Sequence, residues 1–199
     1  MKAQKFSDIP VAILCGGLAT RLGERTAYEP KSMIKIAGKP FINWQIELLH
    51  KQGLTNIVLC LGHLWESIVI ETIKSNCDYS FDGSIKRGTG GAIKKALPKL
   101  GDMFFVIYGD SYLPIDYKHI YDEAILQQKP ACLSQWNGID YGINLYSSHL
   151  FEDRKDIFDI NELQKDLVCL KKTAIFNSPS RYYEIGSEQG IIDLETLLK

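Results

Sequence analysis

Unbroken apolar runs alternate along the chain with stripes at helical spacing. Val11-Ala12-Ile13-Leu14-Cys15 is apolar throughout and leads into Gly16-Gly17, which predicts a buried parallel strand ending in a tight turn. Residues 41–49 carry apolar side chains at helical period; Pro40 suits the first turn, and Gly53 ends the segment. Residues 56–61 read as a second buried strand, 65–75 as an amphipathic helix and 78–81 as a short third strand. Beyond them the pattern predicts a helix over 88–97, a central strand over 103–108 and a helix over 117–128. Strands at 131–135 and 139–146, a helix at 160–167 and a last amphipathic helix ending at Leu198 complete it, with Ser187 a good N-cap. The β-α-β-α-β order predicts an α/β fold: a mostly parallel sheet, helices on both faces, right-handed crossovers. Such sheets bind ligands beyond the carboxyl ends of their strands.

Composition narrows this picture only a little. The chain has 199 residues, which we read as one domain over 1–199, long enough for a sizeable core. Its formal net charge of −1 gives no reason to expect nucleic acid as a partner, so any positive charge for an anionic ligand must be local. No apolar run reaches membrane-spanning length, and residues 1–10 are polar with no signal-peptide core, so we expect a cytoplasmic protein with no membrane partner. Cys15, Cys60, Cys77, Cys132 and Cys169 are scattered without zinc-ligand spacing, and Cys15, Cys60 and Cys132 read as small buried hydrophobes.

Chemistry enters at the strand ends. After Leu14, the turn Gly16-Gly17 leads to Thr20 and Arg21; backbone amides and a guanidinium fork there suit a phosphate, though an ordinary tight turn looks the same. It is no Walker loop, and it lacks the third glycine of the dinucleotide fingerprint. Gly88-Thr89-Gly90-Gly91 fits either a flexible turn with a threonine cap or close backbone approach to a flat ligand. Asp110, just past the strand at 103–108, is either a turn residue or an anchor for Mg2+ beside a triphosphate. His63 reads as a loop residue.

Three segments then carry a resemblance: Gly16-Gly17-Leu18-Ala19-Thr20-Arg21-Leu22, Glu29-Pro30-Lys31 and Gly38-Lys39-Pro40 before a helix. Together they resemble the sugar-1-phosphate nucleotidyltransferases. Tyr108-Gly109-Asp110-Ser111-Tyr112-Leu113 resembles the branch with heptose- and mannose-1-phosphate guanylyltransferases. The resemblance implies a Rossmann-like fold of the nucleotide-diphospho-sugar transferase kind. Its nucleotide-binding part would span about 10–115 and its sugar-phosphate part about 116–199. It implies an Mg2+-dependent enzyme that joins an NTP, GTP in preference to CTP, to a sugar 1-phosphate and releases pyrophosphate. Leu14, Gly16, Gly17, Thr20, Arg21, Gly88, Thr89, Gly90 and Gly91 would bind nucleotide. Arg21 and Lys31 would be catalytic, Asp110 and Glu184 would hold Mg2+, and Asp140, Tyr141 and Gly142 would face the sugar phosphate.

The pattern breaks at one place. Members of the family usually carry an extra hairpin with a second lysine where this chain has only Trp136-Asn137-Gly138. Three accounts fit: a segment missing from a renumbered sequence, which we favour; a deletion with Lys35 or Arg87 as substitute cation; or a nucleotide binder that does not turn over. A cytidylyltransferase for another small phosphorylated metabolite is the remaining enzyme reading. A dinucleotide-binding dehydrogenase would leave Pro30-Lys31 unexplained.

Overall fold

The structure is a computed structural model, and it describes residues 4–16 and 29–199. The proposed roles of Gly17, Thr20 and Arg21 therefore lie outside the described residues. Strand β1 (Val11–Leu14) is followed, after a 3-10 turn at Lys31–Met33, by a small hairpin of β2 (Lys35–Ile36) and β3 (Lys39–Pro40). Ala37 and Gly38, both at positive φ, close that hairpin. Helix α1 (Phe41–Lys51), β4 (Ile57–Leu61), α2 (Trp65–Thr72), β5 (Asp78–Phe81), α3 (Gly88–Ala96) and β6 (Met103–Tyr108) follow. Then come β7 (Ser111–Tyr112), α4 (Lys118–Leu126), β8 (Ala131–Trp136), β9 (Ile139–Ser147) and the short α5 (His149–Glu152). The chain closes with α6 (Ile160–Cys169), β10 (Ala174–Asn177), β11 (Tyr183–Glu184) and α7 (Glu188–Leu198).

The main sheet has seven strands in the order β10-β8-β9-β6-β1-β4-β5. Pairings β5–β4, β4–β1, β1–β6 and β8–β10 are parallel, whereas β9 runs antiparallel to both β6 and β8. The mostly parallel α/β fold expected from the periodicity is thus observed, with one reversed strand. That reversal has a local cause. Asn137 (φ 51°) and Gly138 (φ 78°) join β8 to β9 in the two-residue turn that suits antiparallel strands, and Trp136 pairs directly with Ile139. A parallel partner would need a crossover of about a dozen residues.

Alternation along the strands divides the core between the two faces. Phe105 points toward α1, α2 and α4, among Ile42, Leu49, Ile68 and Ile120. Phe104 and Val106 point the other way, toward α3, α5 and α6, among Ile93, Phe151 and Leu163. A third cluster lies to one side: Ile34, Ile36, Phe41, Tyr112, Ile185 and Leu194. It ties α7 and β11 to the β2–β3 hairpin and to β7, and so returns the end of the chain to the carboxyl ends of the central strands. The periodicity did not announce β10, β11 or the β2–β3 hairpin. All are short, and two-residue strands leave no readable alternation.

Candidate active site

A cleft of about 970 Å³ opens at the carboxyl ends of β1, β4 and β6, where the α/β pattern expects a ligand. Leu14 and Gly16 line it from β1. A side chain at Gly16 would meet the backbone of Gly62 at 3.0 Å, so glycine at both positions eases the close approach of the ends of β1 and β4.

Lys31 and Asp110 meet in this cleft. Pro30 holds extended backbone ahead of the 3-10 turn that begins at Lys31. The Lys31 Nζ donates to Asp110 Oδ2 at 2.8 Å, with the two side chains 20% and 27% exposed. Asp110 sits in the turn between β6 and β7. The Gly109 amide donates to the Leu14 carbonyl at 3.0 Å, and the Ile185 amide to the Asp110 carbonyl at 2.9 Å. A side chain at Gly109 would collide with that Leu14 carbonyl at 2.5 Å.

Glu184 arrives from the far end of the sequence. Strand β11 pairs antiparallel with β7, setting Glu184 opposite Ser111 and Tyr183 opposite Tyr112. A methyl group at Gly186 would lie 3.5 Å from Lys31 Nζ and 3.7 Å from Glu184 Oε1, so both flank one small space. Lys31, Asp110 and Glu184 are thus brought together.

The glycine-rich turn divides in two. Gly88 (φ 71°) and Thr89 line the cleft. Gly90 and Gly91 do not: their amides donate to the Phe158 carbonyl at 3.0 and 3.1 Å. Side chains there would run into the Phe158 ring and the Asp156 carbonyl. These two glycines let residues 156–159 pack against α3. Thr89 is not the cap of its own helix either. Its hydroxyl accepts from the Ile160 amide at 2.9 Å and so helps cap α6, whose own N-cap is Asp159.

Asp140, Tyr141 and Gly142 also lie off the cleft lining. The Asp140 carboxylate accepts from the Gly142 amide (2.6 Å), Asn144 Nδ2 (3.0 Å) and Gln164 Nε2 (2.9 Å). Tyr141 packs edge-on against Tyr182, with ring centroids 5.8 Å apart. Gly142 (φ 86°) is buried directly beneath the Tyr108 ring, with no room for a side chain. Gly142 thus makes room for the Tyr108 ring, which does line the cleft.

Several lining groups carried no clear signal in the sequence. Ser32 Oγ and Arg87 Nε are buried without a hydrogen-bond partner among the described residues, and both residues face the cleft. Asp82 lines it too; burial raises its pKa above the ordinary carboxylate range, while Arg87 and Lys95 pull it back. Cys60, also in the lining, is a neutral thiol, its pKa pushed up to about 12 by burial. His63 lines the cleft on the loop after β4.

Comparison with known proteins agrees with this geometry. Residues 11–167 match the MobA-like NTP transferase domain. The D-glycero-alpha-D-manno-heptose 1-phosphate guanylyltransferase of Campylobacter jejuni is 35% identical over 176 residues, 83% of this chain and 76% of that protein. The same-named protein of Aneurinibacillus thermoaerophilus is 37% identical over 119 residues, which is 57% of this chain and 51% of the relative. HddC from Yersinia pseudotuberculosis, solved in complex with GMP-PN, superposes with a TM-score of 0.80 at 25% identity, over 96% of this chain and 100% of that one. With a shared sheet, a cleft at its carboxyl edge and a match over most of its length, the chain belongs to the MobA-like NTP transferase family, beside the sugar-1-phosphate guanylyltransferases.

Proposed function

We propose that the protein transfers a guanylyl group from GTP to a sugar 1-phosphate, releasing pyrophosphate. The observation that carries this reading is the Lys31–Asp110 ion pair in the lining of a nucleotide-sized cleft, with Glu184 beside Lys31 across Gly186. The guanylyltransferase relatives and the GMP-PN complex of HddC support the choice of base.

The reaction needs no protein nucleophile. An oxygen of the sugar phosphate attacks the α-phosphorus of GTP, a new P–O bond forms, and the bond to the β-phosphate oxygen breaks. The electron pair leaves with pyrophosphate. The acceptor is already ionised near neutral pH, so the difficulty is repulsion between two polyanions and the charge that builds on the leaving group. Lys31, a mobile point charge, would exchange Asp110 for a phosphate oxygen as substrates enter. Gly16 would offer its backbone to the phosphates, with Gly17, Thr20 and Arg21 completing that loop; Gly88 and Thr89 would lie along the nucleoside.

The donor set fits Mg2+. Asp110, in the turn before β7, and Glu184, on the strand paired with β7, would offer hard oxygen ligands, and the Lys31 ammonium already sits on Asp110. A bound Mg2+ would supply Lewis-acid neutralisation of phosphate charge there. Among the described residues, no three His, Cys, Asp or Glu side chains gather into a metal cluster. Two carboxylates suit an ion that fills its shell with water and phosphate oxygens.

No helix among the described residues is long and apolar enough to cross a membrane. Five free cysteines accord with a reducing, cytoplasmic setting, where GTP is abundant. The test is pyrophosphate release across a panel of NTPs and sugar 1-phosphates, with and without Mg2+. GTP with a hexose or heptose 1-phosphate should give turnover. The short Asn137-Gly138 turn, which leaves no room for the usual second lysine, favours one other reading: a nucleotide-binding module. That module would show GTP-dependent thermal stabilisation and release no pyrophosphate with any acceptor.

A further inference from the structure

We infer that Gln45 is the positioning residue for Asp110, and that cation affinity at the site depends on it. The inference rests on the reading of Asp110 as a metal-holding carboxylate. Gln45 is 3% exposed and lies on the packed face of α1 between Ile42, Ile46 and Leu49. An amphipathic helix normally fills such a position with an apolar residue. Here the side-chain Nε2 donates to two carbonyls, that of Tyr108 at 2.9 Å and that of Ser111 at 2.8 Å.

Both partners are carbonyl oxygens, which can only accept. The amide must therefore turn its NH2 toward them, and its orientation is settled by chemistry. The two carbonyls bracket Gly109 and Asp110, so one side chain pins both ends of the turn that presents the carboxylate. Apart from the Lys31 ammonium on the carboxylate itself, the remaining ties, Gly109 to Leu14 and Ile185 to Asp110, are made by backbone. Gln45 Oε1 is buried with no partner among the described residues, a cost that an apolar side chain would avoid. The residue is thus better matched to holding this turn than to filling space. A carboxylate fixed before the cation arrives loses less freedom on binding, and supporting hydrogen bonds commonly change metal affinity by about 10–100-fold.

The test compares wild type with Gln45→Met, Gln45→Glu and a control, Gln52→Met. Gln52 lies just past the same helix and makes a like pair of contacts, donating to the Ile115 carbonyl (3.0 Å) and accepting from the Tyr117 amide (2.8 Å), outside the cleft lining. Three quantities are measured: Mn2+ binding by electron paramagnetic resonance without nucleotide, hydrogen exchange at the Gly109 and Ile185 amides, and thermal unfolding. Gln45→Met should weaken Mn2+ binding by about tenfold and speed exchange at both amides. Gln45→Glu, which sets a carboxylate against two carbonyls, should do more. Gln52→Met should lower the melting temperature and change neither of the other readings. Unchanged Mn2+ affinity and exchange in Gln45→Met, or an equal loss in Gln52→Met, would overturn the proposal. Wild-type protein that binds no Mn2+ overturns the metal assignment, and the exchange comparison then decides separately whether Gln45 holds the turn.

Discussion

Lys31 and Asp110, far apart in sequence, form an ion pair at 2.8 Å inside the cleft. The lysine satisfies the carboxylate that the proposed reaction gives to Mg2+, so cation and lysine compete for one group. With both side chains partly exposed, the pair itself is worth about 1 kcal/mol or less to folding. Its importance is chemical. Lys31→Ala should therefore leave the melting temperature nearly unchanged, tighten Mn2+ binding in the absence of nucleotide, and still cut guanylyl transfer by about a hundredfold, or roughly 2.7 kcal/mol. Binding titrations beside steady-state kinetics check this. Unchanged turnover would remove Lys31 from the mechanism.

Asp110→Asn keeps the shape of the side chain but removes the charge that pairs with Lys31. Mg2+-dependent pyrophosphate release should fall by at least about a hundredfold. GTP binding in the presence of a chelator should persist, because the nucleoside end of the cleft is untouched. A variant with normal Mg2+ dependence would sink the assignment.

Gly90 sits against the Phe158 ring and not in the cleft. Gly90→Ala should destabilise the protein by about 1–3 kcal/mol, as overpacking does, with GTP affinity of the folded protein little changed. Urea unfolding and equilibrium binding separate the two effects. Full stability with lost GTP binding would instead place Gly90 among the nucleotide contacts.

Asp82 carries a pKa raised by burial. Its carboxyl therefore ionises more readily in the unfolded chain than in the folded one. The sign follows: its contribution favours the folded state at low pH and is lost as pH rises through the raised value. Because it lacks that loss, Asp82→Asn should gain stability relative to wild type as pH rises through the raised value. Denaturant midpoints collected from about pH 4 to about pH 7 test it. Parallel curves would show that the burial term is not expressed.

The parts of the site set by neighbours in sequence were open to reading. A buried run followed at once by a polar residue puts Asp110 at a strand end, and Pro30 ahead of Lys31 makes a turn there. The reversed strand β9 was legible in principle from Asn137-Gly138 between two apolar runs, the strongest short hairpin signal. Gly88-Thr89-Gly90-Gly91 was legible only in part. Glycine density marks close approach, but not what approaches: Gly88 faces the cleft, while Gly90 and Gly91 meet residues 156–159.

Periodicity, glycine placement and the apolar runs were enough for the α/β architecture, since each depends on residues a few positions apart. The partners were decided only in three dimensions. Glu184 reaches the β7 edge because Ile34, Tyr112, Ile185 and Leu194, drawn from both ends of the chain, bury their apolar surface together. Gln45 becomes a clamp on the Asp110 turn because α1 packs across β6. Burial is non-directional, so a local pattern can say that a face will be covered; which distant segment covers it, and which carboxylate that segment carries along, follows from the packing of the whole chain.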